Sequence, residues 1–280
     1  MVGLEETGSA DMPVVVRPLS LWQRLTGIAA LRRGAILVLL ALIWQVYAVW
    51  LDSPLMIPTF TDTVAAFWDA VVSGQLPGMV GTSLKVLILG YGLGVVIATV
   101  LAGFASATRF GDDLLATLTA MFNPLPAIAL LPMAMLWFGL GTPSILFVLV
   151  HAVLWPLALN AHAGFRGVSE TLRMVGRNAG LGTVAFIFGI LVPAAFPAIL
   201  TGLKIGWAFA WRTLIAAELV YGAASRSGGL GWFIFENKNR LETASVFAGL
   251  ATVILIGLLV EALIFRTIEV HTVRKWGMQR

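Results

Sequence analysis

A chain of 280 residues that is 59% hydrophobic and 11% charged, with a mean hydropathy of +0.93, departs strongly from soluble composition. Soluble domains are about 45–50% apolar and about 25% charged, so this chain cannot cover itself with polar surface and needs lipid. The absence of cysteine excludes a disulfide framework, a thiolate metal site and a cysteine nucleophile. The net charge of +4 comes from basic residues scattered between apolar segments, a pattern that reports membrane orientation and implies no nucleic-acid partner.

Residues 1–33 read as a cytoplasmic tail. Glu5, Glu6 and Asp11 precede any basic residue there, unlike the positive start of a signal peptide. A span needs roughly 20 apolar residues to cross a hydrocarbon core of about 30 Å, and six stretches qualify. They run from about Gly34 to Leu51, Thr82 to Ala107, Leu114 to Phe138, Ser144 to Ala163, Val184 to Ala217 and Ala244 to Phe265. The third contains Pro124, Pro126 and Pro132, and the fifth contains Pro193 and Pro197. The reading predicts an all-α membrane protein, with a transmembrane domain over 34–268 and a short cytoplasmic tail over 269–280.

Basic residues orient the spans. With the N-terminus inside, one side receives Arg17, Arg24, Arg32, Arg33, Arg109, Arg166, Arg173, Arg177, Arg266, Arg274, Lys275 and Arg280. The other receives Arg226, Lys238 and Arg240. Both termini are therefore expected in the cytoplasm, which requires an even number of spans.

Two polar stretches read as helices. Over 61–72, Val64, Phe67, Trp68 and Val71 recur at helical spacing, with Asp62 and Asp69 elsewhere, as in an amphipathic helix at the external interface. Over 166–183, Leu172, Val175 and Ala179 share a face beside Arg173 and Arg177, and an exposed apolar stripe of this kind implies a partner.

That second stretch carries a family resemblance. Met174-Val175-Gly176, three residues, Gly180, nine residues, then Ile190-Leu191-Val192-Pro193 resembles the cytoplasmic-loop motif of type I ATP-driven importer permeases. That motif is Glu-Ala-Ala, three residues, Gly, nine residues, Ile-x-Leu-Pro. Met174 and Gly176 depart from its start. Phe122-Asn123-Pro124-Leu125-Pro126, Trp137-Phe138-Gly139-Leu140-Gly141, the run from Pro197 to Ile205 and Gly228-Gly229-Leu230-Gly231 resemble nitrate, sulfonate and taurine permeases. The resemblance covers about residues 34–275.

What it implies is a membrane subunit in the bacterial plasma (inner) membrane, paired with a second copy or a paralogue. Two cytoplasmic ATPase subunits would bind ATP and Mg, and an extracytoplasmic solute-binding protein would deliver the solute. This chain would need no cofactor or metal of its own. Glu170, Arg173, Met174, Val175, Gly176, Arg177, Gly180 and Leu181 would form the surface that couples it to the ATPase. The residues agree that the energy comes from elsewhere: a phosphate-binding loop needs a Gly-Lys pair, and none of Lys85, Lys204, Lys238 and Lys275 follows a glycine.

Pathway residues are sought among groups that lipid disfavours. A charge at the bilayer centre costs about 2.5–3.5 kcal/mol on insertion scales and usually faces an interior or water. Lys204 and Arg212, eight positions apart, lie within about 80° on a helix and would suit an anion; snorkelling, or pairing with Glu218, is the plainer alternative. Pro126 and its neighbours either line a cavity or only kink the third span. Gly90 and Gly94 read as helix-packing residues. Two other functions are weighed: a secondary transporter, which wants acidic ligands at mid-membrane beyond Glu218 and Glu261, and an intramembrane serine protease using Ser106 and His151.

Overall fold

The computed structural model describes residues 29–221 and 228–275. The expected residues 1–28, with Arg17 and Arg24, and Arg226 and Arg280 lie outside them. The described chain is helical and divides into two compact units, Met1–Asp52 and Ser53–Arg280. In the first unit, α1 (Ala29–Leu51) is apolar on all sides; at 1.5 Å per residue its length is about 34 Å, enough to cross a bilayer.

The second unit begins with α2 (Phe60–Val72), started by Thr59, whose hydroxyl accepts from the Asp62 N–H at 3.1 Å. This is the expected amphipathic helix. It packs on α11 (Thr243–Leu259) and on α3 (Gln75–Ala107). Thr63 and Ala70 are buried, with Phe67 and Val71 against the core, while Val64 and Trp68 face outward.

Small residues then set the packing of the long helices. On α3, a Cβ at Gly90 would lie 2.7 Å from the Leu149 Cβ, and one at Gly94 would lie 2.7 Å from the Val153 Cβ. Both partners are on α6 (Thr142–Arg166), so the two glycines let the helix axes approach closely. Because the numbering rises together on both helices, α3 and α6 are parallel. The same reading makes α9 (Val192–Tyr221) antiparallel to α6: Gly164 meets Ala195 and Ala198, Gly202 meets Leu157, and Gly206 meets Val153.

Two parallel helices in sequence require a return crossing between them. That return is α4 (Arg109–Phe122), a 3₁₀ turn (Ala127–Leu130) and α5 (Leu131–Phe138). The halves are bent by 84° at Asn123–Pro126, where two prolines remove backbone donors. The expected third span is thus one crossing made of two short helices. Among the described residues, five helices are long and apolar enough to cross a membrane, and the bent pair makes six.

Some boundaries differ from expectation. α3 begins at Gln75, because residues 75–81 contain Leu76, Met79 and Val80, which pack on the core. The last helix continues past Phe265 through two π segments and α12 (Arg266–Glu269) to Arg274, where an ion pair described below holds its charged end. The polar stretch forms α7 (Glu170–Asn178), followed by α8 (Thr183–Phe186) and a π turn (Ile187–Leu191) that leads into α9.

Candidate coupling surface and membrane cavity

At one end of the bundle, the chain leaves α6 at Gly167 and starts α7 on Ser169, whose hydroxyl accepts from the Leu172 N–H. Arg173 reaches back to the end of α6: its Nη2 donates to the Phe165 carbonyl at 2.5 Å and its Nε to the Val168 carbonyl at 3.2 Å. A helix C-terminus offers orphan carbonyls, and a guanidinium is well suited to them. Arg173 therefore ties α7 to the bundle, a use its position in the sequence does not reveal.

Gly176 sits on the inner face of α7. A Cβ there would lie 2.5 Å from the Ile190 Cδ1 and 2.7 Å from Phe186, which explains glycine where the resembling motif has alanine. With that face seated, Leu172, Met174 and Val175 are exposed, Val175 by 56%, beside exposed Glu170 and Arg177. Gly180 ends the turn at φ +67°, in the left-handed region that glycine enters without penalty, and nothing lies within 4 Å of its outward side. Leu181 follows, also exposed.

The same end is cross-tied. His162 lies 2.8 Å from the Asp112 carboxylate and 3.2 Å from the Ser106 hydroxyl, and Arg166 lies 3.2 Å from Asp112. Three helix ends are joined there: those of α3, α4 and α6. Ser106 thus neighbours His162, whereas His151 lies in the middle of α6 and packs edge-on to Trp155.

At the opposite end, Glu218 of α9 is buried. It accepts from the Ser83 hydroxyl at 2.7 Å and from the Gly231 N–H at 2.7 Å, and the Leu230 N–H donates to Ser83 at 2.7 Å. These bonds cap α10 (Leu230–Asn239) against α3 and α9. The Gly228-Gly229-Leu230-Gly231 motif gains its physical reason here, since a Cβ at Gly231 would lie 2.5 Å from the Glu218 Cβ and 2.7 Å from the Ile215 carbonyl.

Of the four sequence-derived pathway residues, the structure brings two together. Pro126 and Arg212 line a cavity of about 390 Å³ between the α4–α5 break, α6 and α9. Glu218 is spent on the α10 cap, outside that cavity. Lys204 lies in a smaller cavity toward the other end, where its ammonium is 2.7 Å from Glu269 and 3.6 Å from Glu261, with Arg274 3.6 Å from Glu269. The two cations of α9 thus face different surroundings. Sequence spacing put them on one side of a helix and could not reveal the Glu269 carboxylate arriving from 65 positions away.

Comparison with known proteins agrees with this architecture. Residues 90–266 match the family described as the binding-protein-dependent transport system inner membrane component. The chain is 30% identical to the taurine transport system permease protein TauC of Escherichia coli, over 81% of this chain and 83% of that one. It is 27% identical to the nitrate import permease protein NrtB of Synechocystis, over 84% and 86%. A Bacillus subtilis relative named for aliphatic sulfonates transport is 30% identical over 84% and 83%.

Proposed function

The chain belongs to the binding-protein-dependent inner membrane components of bacterial transport systems, a multi-pass permease of the plasma membrane, and from that premise we propose that it forms the import pathway for a small anion of the nitrate, sulfonate or taurine class. The observation that carries this reading is α7. A short helix with Leu172, Met174 and Val175 exposed, tied down by Arg173 and Gly176, is a rigid surface awaiting a partner.

In this reading the partner is one of two cytoplasmic ATPase subunits. Glu170, Met174, Val175, Arg177, Gly180 and Leu181 meet it, while Arg173 and Gly176 fix the surface from behind. ATP-driven closure of the ATPase pair pushes on α7, and α6 and the α8–α9 segment, rigidly attached on either side, carry the motion into the bundle. ATP can drive the switch only if each state binds its partner differently. A second copy or a paralogue completes the membrane core, and an external binding protein supplies the solute. Pro126 and Arg212 lie on the pathway, and Lys204 and Glu218 hold the helices around it. Both chain ends are cytoplasmic in this reading, with α1 beginning at Ala29 and the last helix reaching Arg274.

The direct test is purification of the full chain from its native membrane in mild detergent. An ATPase subunit should accompany it, and the reconstituted complex with its binding protein should accumulate a sulfonate or nitrate only when ATP is inside. A complex that takes up solute on an ion gradient without ATP would defeat the proposal. Orientation is tested separately. Reporters after Arg109 and Arg173 should read cytoplasmic, and those at Gln75 and Lys238 external: the basic-residue asymmetry sets the side, and the parallel packing of α3 and α6 puts the starts of both on it. A cytoplasmic signal at Gln75 would overturn that arrangement.

A further inference from the structure

We infer that the cavity at the α4–α5 break is a binding site for the acidic group of the solute inside the membrane, anchored by the guanidinium of Arg212 with Asn123 and Thr213 as uncharged polar partners. This inference rests on the anion reading above and deepens it, because it assigns recognition to the permease as well as to the external binding protein.

The first support is an unbalanced charge. Arg212 is exposed on the α9 face that lines the cavity. Its Nε donates to the Ala208 carbonyl at 3.0 Å and its guanidinium lies 5.1 Å from the Phe209 ring centre. No carboxylate among the described residues lies within ion-pair distance of it, and none lines the cavity. Lys204, on the same helix, has two carboxylates. A cation without a counter-charge in an apolar wall attracts an anion, and the planar fork of arginine suits two oxygens of a sulfonate or nitrate.

The second support is the rest of the lining. Among the described residues, the side chains of Asn123 and Thr213 have no hydrogen-bond partner, so an amide and a hydroxyl are free to donate. The indole nitrogen of Trp155, which also lines the cavity, is buried without a partner, and a buried donor left unpaired calls for an acceptor such as an anion or a water. The backbone is broken there by Pro124 and Pro126, and an interrupted span is where transporters place their ligands. Ala152 and Ala216 leave an apolar floor for a short carbon tail.

The natural absence of cysteine provides a clean test. In the Ala216→Cys variant of the full chain in lipid nanodiscs, with each rate divided by that reagent's rate on free 2-mercaptoethanol, a sulfonate-bearing methanethiosulfonate should label the thiol about tenfold faster than the trimethylammonium reagent. Ethanesulfonate or nitrate should slow that labelling, and choline should not. Adding Arg212→Gln should remove the preference and the protection, and Arg212→Lys, without the fork, should keep the preference and lose most of the protection. Adding Lys85→Gln, a charge change away from the cavity, should alter neither. Equal normalised labelling by both reagents, no protection by either anion, or full protection in the lysine variant would each overturn the inference. ATP-driven anion uptake measured in parallel separates the two levels. Uptake without cavity protection removes this site and leaves the importer, whereas protection without uptake keeps the site and removes the transport reading.

Discussion

Gly180→Val is expected to abolish ATP-driven uptake while the chain still inserts and accumulates at normal levels. The reason is conformational, not steric. A Cβ at Gly180 meets nothing within 4 Å, yet φ is +67°, where a β-branched residue costs about 1–3 kcal/mol. The turn relaxes by changing its dihedrals, and Leu181 and the end of α7 move with it. The bundle core is untouched, so insertion survives; the proposed docking surface is displaced, so hydrolysis should no longer drive transport. Coupled uptake and ATPase activity in reconstituted vesicles distinguish the two, and normal import by the valine variant would show that the ATPase does not read this turn.

Glu218→Ala should have the largest effect on stability. The carboxylate satisfies the Ser83 hydroxyl and the Gly231 N–H at the buried start of α10. Removing it leaves two buried donors without acceptors, at about 1–3 kcal/mol each, and a cavity between α3 and α9. Thermal unfolding in detergent should fall well below wild type. Glu218→Gln keeps an acceptor for one donor and should be milder. A glutamine variant with wild-type unfolding temperature and no uptake would return Glu218 to the pathway and displace the capping role assigned here.

Hydropathy and proline placement made the helical membrane architecture legible, since both are local properties. The amphipathic stretch at 61–72 and the polar helix at 170–178 were readable from 3.6-residue periodicity. Other features depend on distant partners. Proline in the third span signalled a break, but only the parallel register of Gly90 and Gly94 with Leu149 and Val153 makes it a full crossing. Ser83 and Glu218 meet across 135 positions, and Lys204 and Glu269 across 65; periodicity says nothing about such pairs. Arg173 lies on the polar helix that its spacing implied, but its bonding to α6 carbonyls depends on the turn at Gly167, which composition does not specify. His162 likewise joins Ser106 and Asp112 across 56 and 50 positions.

The parallel pairing of α3 and α6 also bears on how the protein is made. Helices that pack antiparallel through a short connection can associate as they leave the insertion machinery, but these two cannot. Ser106 waits for a partner 56 positions further along, and the glycine face of α3 meets lipid until α6 arrives. During that interval the α4–α5 break has been synthesised without the helix that covers it, and broken backbone is poorly tolerated in hydrocarbon. Arrival of α6 thus covers two surfaces at once, the glycine face of α3 and the α4–α5 break.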